Sequence, residues 1–87
     1  MNSKTITIGK EHDRKLQEVL LLVLRELGAR ITDKSFGVGG SQEVVTLQVI
    51  VGGSTLTVEA ETFVGLSITG PPDLVERVTV LVHQRMQ

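Results

Sequence analysis

The chain has 87 residues, a net charge of −1, 40% apolar residues, two phenylalanines as its only aromatics and no cysteine. That length makes one α+β domain, residues 1–87, with an aliphatic core. The composition excludes a disulfide framework and a thiolate metal site, and two histidines are too few for a typical zinc site, so no cofactor is expected.

Thr5-Ile6-Thr7-Ile8 alternates and stops at Gly9, which predicts a short first strand. The next element reads as a helix from Lys10 to Gly28. Gly9 is its expected cap, Glu11 and Asp13 lie in its first turn, and Glu11 faces Lys15 one turn on. Leu16, Val19, Leu20, Val23, Leu24 and Leu27 form its apolar stripe, and Gly28 stands where a helix stops. Leu21 and Leu22 fall outside that stripe. Burying a leucine rather than exposing it is worth about 1.5–3 kcal/mol, so these two ask for a second packing surface. Either a second helix covers them or another chain does.

Arg30 to Phe36 reads as a weak strand, and Gly37-Val38-Gly39-Gly40-Ser41 as a loop. Val44 to Val51 and Ser54 to Glu61 then flank Gly52-Gly53, the signature of a two-residue hairpin. The turn sets the register: Val51 faces Ser54, Val49 faces Leu56, Leu47 faces Val58 and Val45 faces Ala60. Gln48–Thr57 and Thr46–Glu59 fall on the other face. Turn chemistry and hydrophobic pattern reach this register separately. Past Glu61 the alternation continues through Val64, Leu66 and Ile68 with unchanged parity. Either a three-residue reversal occurs near Glu61-Thr62-Phe63, or one long strand bends at Gly65 and leaves a free edge. Gly70-Pro71-Pro72-Asp73 opens a last helix with the stripe Leu74, Val75, Val78, Leu81, Val82 and Met86. Arg77 to Val82 also alternates like a strand, but length and the proline start favour helix.

The expected fold is a two-layer α+β sandwich. Four or five mostly antiparallel strands carry two helices on one face, in the order β-α-β-β-β-(β)-α.

The glycine loop Gly37, Gly39 and Gly40, with Lys34 upstream, has the composition of a phosphate cradle. Such cradles lead into a helix, and this one leads into a strand, so a flexible connection is the better reading. Glu59 and Glu61 share a sheet face. As an acid–base pair they would need burial or close approach, and they sit among Thr and Gln. His12 lies near the start of the first helix. His83 suits the negative end of the second helix's dipole. No nucleophile elbow is present, so no catalytic residue is assigned and the chain is read as a non-enzyme.

Arg14, Lys15, Arg25 and Arg30 are basic, but near-neutral net charge and the lack of Trp and Tyr argue against nucleic acid. Residues 1–34 carry a local charge of +2 and residues 35–87 a local charge of −3, enough to orient two copies. The longest apolar run, Val19 to Leu24, is far short of the roughly 20 residues a membrane span needs. Met1-Asn2-Ser3-Lys4-Thr5 shows no apolar secretory segment, so the expected location is the cytoplasm.

Residues 4–51 resemble the opening of an ACT domain: strand, glycine turn, amphipathic helix ending Glu26-Leu27-Gly28-Ala29, then two strands. The resemblance implies a dimerising module that binds an amino acid near the first strand–helix turn, here Ile8-Gly9-Lys10. After Val51 the family pattern continues with helix then strand, whereas this chain continues with strand then helix.

Two functions follow as expectations. The first is a homodimeric interaction module, joined through helix one at Leu21 and Leu22 or through a sheet edge, or one that takes another protein partner. This reading predicts twice the monomer mass in solution, and a folded monomer for Leu21→Glu or Leu22→Glu. The alternative is a small-ligand-sensing domain of ACT type, with Gly9, Lys10, Lys34, Gly37, Gly39 and Gly40 in its ligand loops.

Overall fold

Alternating strands, turn glycines and two amphipathic helices assemble around one apolar layer. A computed structural model describes residues 2–87. The elements are β1 (Lys4–Gly9), α1 (Arg14–Glu26), β2 (Arg30–Gly39), β3 (Gln42–Val51), β4 (Ser54–Glu61), β5 (Gly65–Gly70) and α2 (Pro72–Met86). The strands form one antiparallel sheet in the order β1-β5-β4-β3-β2. β2 to β5 is a meander, and β1 closes onto β5. α1 therefore carries the chain from one edge of the sheet to the other. This is the expected α+β architecture, with five strands.

The β3–β4 hairpin has the register its turn dictates, Val51 opposite Ser54 through Val45 opposite Ala60. Gly52 and Gly53 hold φ of 56° and 83°, the left-handed pair such a turn requires. One face of the sheet contributes Val49, Val51, Leu56, Val58, Leu66 and Ile68 to the core. Leu16, Leu20, Val23 and Leu24 of α1 and Val75, Val78 and Val82 of α2 close over them. The other face is largely polar, as in the Thr5–Thr69 hydroxyl pair at 2.8 Å.

The chain reverses at Thr62–Val64, so 54–70 is two strands and not one bent strand. Phe63 takes φ 71° there, a left-handed conformation rare for a bulky side chain, and Gly65 takes φ 119°. A β-carbon on Gly65 would lie 2.5 Å from the Gly9 carbonyl oxygen. The missing side chain is what lets β5 start against the end of β1. β1 itself carries a bulge at Ile8, between Thr7 opposite Ser67 and Gly9 opposite Leu66.

Two sequence expectations need correction. α1 starts at Arg14, not Lys10. Asp13 is the cap: its carboxylate accepts from the Leu16 amide at 3.0 Å. Asp13 offers a first-turn amide a side-chain acceptor, which Gly9 lacks. Glu11 consequently precedes the helix and is not one turn from Lys15; its carbonyl accepts from the Gln17 side chain instead. The second correction concerns Gly37-Val38-Gly39, which is strand. β2 runs to Gly39, and only Gly40-Ser41 turn. Pairing of Gly37 with Val44 and Gly39 with Gln42 outweighs the low strand preference of glycine. At α2, the proline start decides for helix throughout 72–86, including Arg77 to Val82.

Candidate functional site

α2 packs on α1, β1 and β5. Lys4 of β1 donates to Glu76 at 2.8 Å, and Arg85 pairs with Glu26 at the end of α1. The helices cover β1, β5 and β4 and reach Val49 and Val51 of β3, which lie in the core. The open part of the sheet is its β2 edge, where every residue is exposed. α2 does not cover Leu21 and Leu22, which stay 52% and 41% exposed.

Between α1 and the β2 edge lie two adjoining hollows of about 460 and 420 Å³. Leu21 and Leu24 wall them, and Ile31, Val45 and Leu47 form the floor. Glu18, Arg25 and Lys34 are the charged groups at their margin. Cross-strand pairing extends the floor outward, since partners in a ladder share a face. Phe36 stands beside Val45, Lys34 beside Leu47, and Val38 beside Glu43. Every residue of β2 is exposed, with Ile31 at 60% and Phe36 and Val38 at 63%.

A second apolar group sits at one end of the same sheet. Phe63 and Val64 are exposed in the β4–β5 turn. The Thr62 amide donates to the Glu43 carbonyl at 2.9 Å, and the Glu43 amide donates to the Thr62 hydroxyl at 3.1 Å. These bonds hold that turn beside the first residues of β3. Both phenylalanines of the chain therefore lie outside the core.

The other sequence candidates are not brought together into a site. Gly9 is filled on its open side by Leu16, whose Cδ2 occupies the place a β-carbon would take. Lys10 is exposed, and its carbonyl accepts from the Asp13 amide. Gly37 and Gly39 are ladder residues and Gly40 is a turn residue, so they form no cradle, and Lys34 stands in the middle of β2 opposite Leu47. A small hollow of about 120 Å³ near the start of α1 is lined by Glu11, His12, Gln17, Glu43 and Thr62 among others. His12 is mostly exposed there, 3.7 Å from Glu11. His83 is exposed on α2. Glu59 lies between Thr46 and Ser67 across the sheet, and Glu61 accepts from the Gln42 amide nitrogen at 2.7 Å. Arg14, Lys15, Arg25 and Arg30 are all exposed. Among the described residues, no group of three or more His, Asp or Glu is placed to hold a metal ion, and no helix is long and apolar enough to cross a membrane.

Sequence reasoning singled out Leu21 and Leu22 but missed Ile31, Phe36 and Val38. The signal was there: Lys34, Phe36 and Val38 follow one another at the two-residue period of a strand face. The glycines between them disguised it. No protein-family model, curated protein or solved structure matches this chain.

Proposed function

We propose that the chain is a non-enzymatic interaction module that works as a homodimer. One observation supports this above the rest: the helices leave the β2 edge of the sheet uncovered, and an aromatic residue stands on it. A small domain normally buries its aromatics, because each carries 150–250 Å² of surface. Here Phe36 stands on an edge strand beside Val45 and Val38 beside Glu43, with Leu21 walling the floor. A second copy of the same surface covers these groups without any further component. A reducing compartment suits a fold that draws nothing from disulfides, and the cytoplasm is the one we assign.

The test is mass in solution. Light scattering of the intact chain should give twice 9.4 kDa at high concentration, falling toward 9.4 kDa on dilution. Phe36→Glu should give a monomer with unchanged circular dichroism. A monomer of the parent chain at millimolar concentration overturns the proposal.

A further inference from the structure

The self-association reading leaves open which groups meet, and the backbone of β2 narrows the choice. In an antiparallel ladder, successive residues point their N–H and C=O alternately to either side. The bond from the Thr62 amide to the Glu43 carbonyl shows that Glu43 faces β4. By alternation Val45 and Leu47 also face β4, while Val44, Thr46 and Gln48 face β2. Their partners on β2 are Gly37, Ser35 and Asp33. Lys34, Phe36 and Val38 therefore turn their N–H and C=O outward, away from the sheet. Their side chains all lie on the helix-bearing face. The ladder shifts register between Ile31 and Asp33, so the regular part of this edge runs from Asp33 to Gly39.

We propose that two copies join along β2, antiparallel about a two-fold axis that sets Phe36 directly opposite the partner's Phe36. This rests on the self-association reading and specifies its geometry. Outward-facing residues must pair with outward-facing residues, which leaves few symmetric registers. Lys34 opposite the partner's Lys34 sets like charges against each other, which is destabilising. Val38 opposite the partner's Val38 shortens the overlap to the end of the hairpin. Lys34 opposite the partner's Phe36 brings Val38 against the partner's Thr32, at the register shift. The Phe36 register uses the whole regular run. It pairs the aromatics, and it sets Lys34 opposite the partner's Val38. The next residue in that row is the partner's Glu43, so the lysine at the edge gains a carboxylate within reach of two flexible side chains.

An inward-pointing charge on an edge strand ordinarily discourages pairing. In this register Lys34 is neutralised, and in the Lys34-to-Lys34 register it is not, so the same residue selects the alignment. The contact strip is about 24 Å long at strand spacing. That is small among specific interfaces, so the pairing is expected to be weak and concentration-dependent.

The chain has no cysteine, so single cysteines report the register directly. Directly opposed residues in a hydrogen-bonded pair lie about 5.5 Å apart at Cα, inside disulfide range. Mild oxidation of Phe36→Cys at millimolar chain concentration, where the pair weakened by loss of the ring still forms, should trap a covalent dimer. Val38→Cys alone, which keeps Lys34, should stay uncrosslinked, because it is offset from its own copy by about 14 Å. An equimolar mixture of Lys34→Cys and Val38→Cys, which keeps Phe36, should crosslink across the pair. Dimeric mass without this pattern overturns the β2 register and leaves self-association standing. Monomeric mass for the parent chain removes both.

Discussion

Truncating Phe36 should separate folding from assembly, and Leu56 is the control. Leu56 is fully buried, so Leu56→Ala loses transfer energy and leaves a cavity, costing about 2.7–5 kcal/mol of folding stability. At about 4–8 °C per kcal/mol, the melting temperature falls by roughly 10–40 °C. Phe36 is 63% exposed in the single chain. Phe36→Ala therefore changes monomer stability by no more than about 1 kcal/mol. In the proposed dimer the partner strand covers that exposed surface. Full coverage is worth about 1–2 kcal/mol per copy, plus about 0.5–1.5 for the aromatic pair. The two copies together then lose about 2.5–5.5 kcal/mol of association energy, a rise in Kd of roughly 10²- to 10⁴-fold. Sedimentation equilibrium over a dilution series reads the second quantity, and urea unfolding at low micromolar concentration reads the first. Dilute conditions matter because dimerisation itself adds apparent stability. The reasoning fails if Phe36→Ala unfolds like Leu56→Ala, or if it leaves Kd within threefold of the parent.

Leu21→Glu separates the two routes to a dimer: pairing through β2 leaves the variant dimeric, whereas a helix-one contact makes it a folded monomer, and sedimentation distinguishes them. Gly65→Ala should destabilise by about 2–4 kcal/mol, since it combines φ 119° with a β-carbon 2.5 Å from the Gly9 carbonyl; thermal melting checks it. Asp13→Ala removes the carboxylate that accepts from the Leu16 amide and should cost about 1 kcal/mol by urea unfolding. Asp13→Asn, which keeps a side-chain acceptor, should recover most of that loss.

How much of this structure the sequence discloses depends on how many local signals agree. The β3–β4 register is legible because Gly52-Gly53 and the Val45-Leu47-Val49-Val51 alternation reach the same pairing by separate routes. The end of α1 is legible for a similar reason: the stripe stops where Gly28 allows a left-handed turn. The start of α1 is hidden because Gly9, Glu11 and Asp13 all suit a helix beginning, and only a hydrogen bond tells which one caps it. β2 is hidden because Gly37 and Gly39 carry a loop signature locally and become strand only by pairing with β3. The surface around Leu21 was legible as a question, not as an answer. Which side of α1 receives α2 depends on where β5 ends in the sheet, and no residue near Leu21 records that. The candidate site was therefore half visible: its wall could be read from the helix period, while its floor depended on strands that look like a loop.

The two edges of the sheet differ, and that difference sets how large an assembly can become. A sheet with two equivalent open edges adds copies at both ends and grows into a fibre. Here β1 is short, bulged at Ile8, packed by α2 and tied to it through Lys4 and Glu76. Joining two copies along β2 leaves only two such β1 strands at the outer margins, both poorly shaped to receive another strand. In the proposed pair, growth would then stop at two chains. The bulge at Ile8 would act as a terminator, so its removal should turn a closed pair toward polymer, visible as concentration-dependent turbidity.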